Sequence, residues 1–114
     1  MQVIDQPIKL DLIKNMAKNS FGKLIKAVVD TEIEVMAIDA DMHADEEAKL
    51  LENGSQQKDL WGINIYPEKY EGSDFIEFDS MINLRPTQNN LSRGVEDEKI
   101  KEKIKLIVKK LIRP

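Results

Sequence analysis

Apolar and polar positions follow two different periods along this chain. Leu10, Ile13, Met16 and Ala17 fall at helical spacing and predict an amphipathic helix over 9–18, ended by Asn19-Ser20 and Phe21-Gly22. Residues 24–30 and 32–38 are rich in β-branched side chains, and the second run opens in acidic/apolar alternation. They predict an antiparallel hairpin turning near Asp30-Thr31; a continuous helix is the competing reading, because Lys, Glu, Met and Ala also suit one. A loop over Asp39 to His43 leads into a short helix, 44–52. Its first turn carries Asp45, Glu46 and Glu47, where the helix dipole favours negative charge, and Asn53-Gly54 closes it.

The second half returns to a period of two. In Leu60–Tyr66, Trp61, Ile63 and Ile65 point one way and Gly62, Asn64 and Tyr66 the other. After Pro67 and a turn around Glu71-Gly72-Ser73, alternation resumes over 75–84. There Ile76, Phe78, Ile82 and Leu84 share one face, and Phe75, Glu77, Asp79, Met81 and Asn83 the other. Arg85-Pro86 ends that strand, and 87–94 reads as a polar loop. Ile100, Ile104, Ile107, Val108 and Leu111 form a helical stripe, with Glu96, Asp97 and Glu98 at its start and Lys109, Lys110 and Arg113 at its end. The order is α-β-β-α-β-β-α, an α+β fold with a four-stranded, mostly antiparallel sheet and helices packed on one face.

Length and composition narrow the class. The 114 residues suffice for one domain, 1–114, with a real core, and 41% apolar with 33% charged residues reads as globular. The absence of cysteine excludes a disulfide framework, a thiolate metal site and cysteine catalysis. No apolar run approaches the ~20 residues that span a bilayer, and Asp5, Lys9 and Asp11 interrupt any leader-like segment. Cytoplasmic residence with no membrane partner is the expectation. Isoleucine and lysine, fourteen of each, lean towards a prokaryotic source.

The net charge of −4 is uneven: residues 96–114 hold seven Lys/Arg against four Asp/Glu (+3), and 1–95 hold ten against seventeen (−7). The acidic body disfavours nucleic acid as a partner. No nucleophile, dinucleotide or phosphate-loop motif is present.

Three groups of residues carry candidate chemistry. Glu77 and Asp79 lie two apart on one strand face, their Cα atoms about 6.6 Å apart, so both can reach one divalent cation. Asn64 and Asn83 would add amide groups on the same side; a plain solvent face produces the same alternation. His43 is the chain's only histidine and precedes Asp45, which makes both candidate metal ligands or proton carriers if the fold brings them to Glu77 and Asp79. A helix entry followed by dipole-matched acids explains that run equally.

The loop is the richest stretch: Arg85, Gln88, Asn90 and Arg93 supply guanidinium forks and amides suited to a polar or anionic ligand. Trp61 and Tyr66 could form a stacking platform, but alternation with isoleucines puts Trp61 in the core. The lysines of 99–110 are expected on a solvated face.

His43-Ala-Asp-Glu-Glu-Ala, Leu60-Trp-Gly-Ile-Asn-Ile-Tyr-Pro67, Glu77-Phe-Asp-Ser-Met-Ile-Asn-Leu-Arg-Pro86 and Ser92-Arg-Gly-Val-Glu-Asp97 together resemble a small bacterial and archaeal family of about this length, a domain of unknown function. The resemblance covers nearly the whole chain and implies a prokaryotic cytosolic protein, but it transfers no catalytic residue and no cofactor. Three functions are consistent with these residues. The first is a domain binding a polar or anionic small molecule or peptide through 77–93, with Arg85, Gln88, Asn90, Arg93, Asn64 and Asn83 as its contacts. The second is a metal-dependent hydrolase or phosphotransferase in which Glu77 and Asp79 hold the metal, with Asp45, Glu46 or His43 nearby and Arg85 stabilising developing anionic charge. The third is a non-catalytic interaction module that pairs with a protein partner or with itself as a homodimer.

Overall fold

A computed structural model describes residues 1–114. The elements are β1 (Gln2–Ile4), β2 (Ile8–Lys9), α1 (Leu10–Lys18), β3 (Ile25–Asp30), β4 (Val35–Ile38), α2 (His43–Glu52), β5 (Leu60–Ile65), β6 (Ile76–Glu77), α3 (Glu98–Leu111) and β7 (Ile112–Arg113). Five strands form an antiparallel sheet in the order β1-β4-β3-β5-β6, and β2 pairs in parallel with β7. The mixed α+β class and the antiparallel sheet match the sequence reading. The strand count does not, because β1 adds a fifth strand against β4. Only three residues long, with two of its side chains exposed, β1 carries too little periodicity to be read.

The hairpin reading of 24–38 holds, and Asp30 organises its turn. Asp30 Oδ1 accepts hydrogen bonds from the N–H groups of Glu32 (2.8 Å) and Ile33 (3.2 Å), bending the chain just after β3. Its Oδ2 accepts from the Ser55 hydroxyl at 2.6 Å, tying the turn to the connector after α2.

Helices lie on both faces of the sheet, which corrects the one-face arrangement. Ala27, Val29, Met36, Ile38, Trp61, Ile63 and Ile65 pack with Leu10, Ile13 and Ala17 of α1 and Ile104, Ile107, Val108 and Leu111 of α3. On the other face Val28, Ala37 and Leu60 pack under Leu50 of α2, with Val35 and Ile82 beside them. The run Ala27-Val28-Val29, all fully buried, requires this, since a strand apolar on consecutive residues must be covered on both sides.

The long strand expected over 75–84 is also corrected, to the two residues of β6 followed by an irregular path and a single 3-10 turn, Met81–Asn83. Gly62 is the cause. A Cβ built on Gly62 would lie 2.6 Å from both Cβ and Oγ of Ser80, so the missing side chain lets residue 80 settle directly on the sheet. The chain leaves the plane there, and the alternation breaks with it: Asn83 is fully buried while Met81 and Leu84 are exposed.

Candidate functional site

The register of β3, β5 and β6 places Lys26, Asn64 and Glu77 opposite one another, on the face that α2 covers. Asn64 Nδ2 donates to Glu77 Oε1 at 2.9 Å and to the Asp79 carbonyl at 3.4 Å, and the Tyr66 hydroxyl donates to the same Glu77 oxygen at 3.1 Å. Burial first, and then Glu77, push the Tyr66 hydroxyl above its ordinary pKa. Arg93 Nε meets Asp79 Oδ1 at 2.6 Å in a pair that is about half exposed, so its attraction is largely screened. Asn64 is only 8% exposed. With Nδ2 committed, its Oδ1 is sealed from solvent and has no donor.

His43 opens α2 above this row. Its Nε2 lies 2.8 Å from the Ile63 carbonyl, which can only accept, so the proton sits on Nε2 and Nδ1 is left as a lone pair. Burial holds the imidazole below its usual pKa. The Ile63 carbonyl and Asp79 pull it up, Lys26 and Arg93 push it down, and burial prevails. An NMR titration is expected to place the His43 midpoint below 6.5 with the Nε2–H tautomer throughout the neutral range; a midpoint above that value would mean the ring is not buried as described. Because the folded pKa is depressed, stability contributed by neutral His43 is present above the unfolded value and lost as pH falls through the folded one.

One helical turn on, at the same face of α2, lies Glu46, with no exposed surface. Its Oε2 accepts from the Ala40 N–H at 3.0 Å, while Oε1 is sealed without a partner. Burial pushes its pKa up to about 9; the Ala40 bond and Lys26 oppose this and Asp39 adds to it, so the carboxyl is neutral at pH 7. Sequence reasoning placed Glu46 as a dipole-matched acid that could stand near a metal, not as a sealed neutral carboxyl. The spacing His43, Glu46, Leu50 marks a single buried face and was the available signal. Lys26, and the hydroxyl role of Tyr66, were missed for want of a pairing register.

The structure therefore brings His43, Asn64, Glu77, Asp79 and Arg93 together. It leaves Asp45 on the exposed side of α2. The remaining candidates serve the chain itself. Asn83 receives the Gly62 N–H on Oδ1 (2.8 Å) and returns Nδ2 to the Gly62 carbonyl (2.9 Å), acting as a substitute strand partner. Asn90 Nδ2 binds the carbonyls of Asn83, Ser92 and Gly94, and its Oδ1 takes the Glu96 N–H, so one side chain organises the loop. Arg85 donates to the carbonyls of Gln57 and Leu60 while its guanidinium lies 4.1 Å from the centre of the Trp61 ring, and Gln88 donates to the Lys58 carbonyl. Burial lowers the Arg85 pKa, with Glu47 and Asp59 opposing. No three His, Asp or Glu side chains are grouped as holding a metal ion would require. Glu77 is engaged by Asn64 and Tyr66, and Asp79 by Arg93.

Two hollows adjoin the sheet edge at β6. One of about 420 Å³ is lined by Tyr66, Lys69, Asp74, Ile76 and Glu77 and meets the polar cluster at Tyr66 and Glu77. The larger, about 570 Å³, lies between the 70–76 turn and α3, away from that cluster. No helix is long and apolar enough to cross a membrane.

Over residues 2–111 the chain matches one family, described as "Protein of unknown function (DUF5674)", and it belongs to that family. No curated protein and no solved structure matches it.

Proposed function

We propose, for a member of a family whose description assigns no activity, that the protein binds a small polar molecule rich in hydrogen-bond donors, seated against Asn64 and Glu77 beneath the first turn of α2. The carrying observation is the Asn64 carboxamide, whose Nδ2 is fixed and whose buried Oδ1 has no donor. A buried acceptor left unanswered costs about 1–3 kcal/mol, which a ligand donor would recover. His43 Nδ1 and Glu77 Oε2 are further acceptors that no protein donor meets. The valences left open at Asn64, His43 and Glu77 are acceptors, which favours amines, amides and nucleobase-like donors there, while Lys26 and the Arg93 Nη groups offer donors at the margin to any anionic part of the ligand. The hollow beside Tyr66 and Glu77 has the volume of a small-molecule site.

A thermal-shift panel of small amines, amides, nucleobases and carboxylates tests this reading, followed by NMR mapping of any compound that raises the melting temperature. A donor-bearing compound at ~100 times its Kd adds about 2.7 kcal/mol of stability. Its shifts should centre on Asn64, Glu77 and the His43 ring, and Glu77→Gln should weaken it about tenfold, since a charge-assisted hydrogen bond becomes a neutral one. A panel without binders, or shifts remote from these residues, overturns the proposal.

A further inference from the structure

We infer a second binding site, in the hollow of about 570 Å³ between the 70–76 turn and α3, for a small molecule with an apolar body and an anionic head. Its apolar wall is built from the core outwards. Val108 is fully buried in α3, Phe75 is 7% exposed, and Ile76 packs partly buried beside them. Tyr70 meets Phe75 edge to face at 5.2 Å between ring centres, with the planes 83° apart, so the aromatic wall is held rigid. The turn that arches over it is fixed by its own backbone: Gly72 N–H donates to the Lys69 carbonyl (2.9 Å) and Phe75 N–H to the Gly72 carbonyl (3.2 Å). A rigid, partly apolar concavity of this volume falls within the range of small-ligand sites.

The rim sets the charge of the occupant. Lys105 and Lys109 stand one helical turn apart on α3, and both line the hollow. Lys109 has no acidic partner, and Lys105 has only the exposed Glu102 at 3.4 Å. Glu71 is the one carboxylate in the lining; Ser73 and Tyr70 add hydroxyl donors. The hollow also sits on the one basic segment of an otherwise acidic chain, where the local field draws anions while the rest of the surface repels them. Two cations over an apolar wall match a carboxylate or phosphate carried on an aromatic or short aliphatic body. This hollow shares only Ile76 with the one beside Tyr66 and Glu77; its lysines, Tyr70, Phe75 and Val108 belong to it alone, so it stands independently of the function proposed there.

The test compares three isosteric probes by NMR titration of the full chain: phenylacetate, 2-phenylethanol and 2-phenylethylamine, with phenyl phosphate as a fourth arm to distinguish the two head groups. Phenylacetate or phenyl phosphate should bind tightest, shift Tyr70, Phe75, Lys105 and Val108, and weaken as salt rises. Lys105→Gln with Lys109→Gln should raise Kd about fivefold per lysine, the range of partly screened ion pairs. Both positions are exposed on α3, so the double variant keeps its fold. Ser73→Trp, which fills the hollow from the exposed turn, should abolish binding. Equal affinity for the alcohol and the acid, preference for the amine, or no shift at these residues with any probe overturns the inference.

Discussion

Replacing Glu46 with glutamine raises stability at pH 7 by up to about 3 kcal/mol, the cost of holding a carboxyl neutral about 2.5 pH units above its ordinary range. The pH dependence is the diagnostic part. Burial raises the folded pKa from 4.5 to about 9, so the folded state keeps a proton that the unfolded chain has released. The contribution of the neutral carboxyl is complete below pH 4.5, declines as pH rises towards 9, and is gone above it. Glutamine has no proton to lose. The advantage of Glu46→Gln should be near zero at pH 4 and widen steadily to pH 9, as read by urea denaturation at a series of pH values. Glutamine can keep the Ala40 N–H bond through its own oxygen but leaves a sealed amide in place of a sealed carboxyl oxygen, which trims the gain. A difference that does not change with pH would show that Glu46 ionises freely and that α2 does not seal it.

Gly62→Ala should be the most damaging of the glycine-to-alanine replacements. The new Cβ would stand 2.6 Å from Ser80 Cβ and Oγ and 3.1 Å from Ile82 Cγ1, so the 80–83 segment must lift. Lifting it also strains the paired bonds between Asn83 and the Gly62 backbone. Overpacking of this kind costs about 3 kcal/mol, a fall in melting temperature on the order of 10 °C. Ser80→Gly removes the side chain that is struck, and the double variant should recover about half of the loss. Additive effects in the double-mutant cycle would mean that Ser80 is not the obstacle. Asn64 and Glu77, two residues or more from the clash, should keep their pairing in the rescued protein.

How far the sequence reveals this molecule depends on the reach of each interaction. α1, α3 and the β3–β4 hairpin were legible because their signals are local: a 3.6-residue stripe, a run of β-branched residues, a turn aspartate. Trp61 in the core followed from simple alternation with isoleucine. The path after Glu77 was not legible, because period two continues to Leu84 while the chain has already left the sheet at Ser80. What redirects it is the absence of a side chain at Gly62, eighteen residues earlier, and no window of the sequence shows that contact. The same reason limited the site. Arg85, Gln88 and Asn90 looked like ligand-binding groups by type, and most of their donors are spent on the carbonyls of residues 57, 60, 58, 83, 92 and 94, although Arg85 Nε is buried without a partner. His43, one residue among acids, gained its interest only from the register that set Asn64 and Glu77 beneath it. The family match is consistent with the resemblance drawn from the quoted segments.

The Asn83 carboxamide has a consequence for behaviour at high concentration. β6 covers only Asn64 and Ile65 of β5, which leaves the outer rim of Leu60 to Ile63 without a strand. This is an apolar strand with unpaired peptide groups, the kind of edge on which a second chain can grow as a β-ladder. Asn83 occupies the Gly62 peptide on both its donor and its acceptor, and Arg85 occupies the Leu60 carbonyl. Two side chains thus plug the template that a neighbouring molecule would use. The polar loop covers the rim, and unfastening it would expose an apolar strand edge on which another chain could pair.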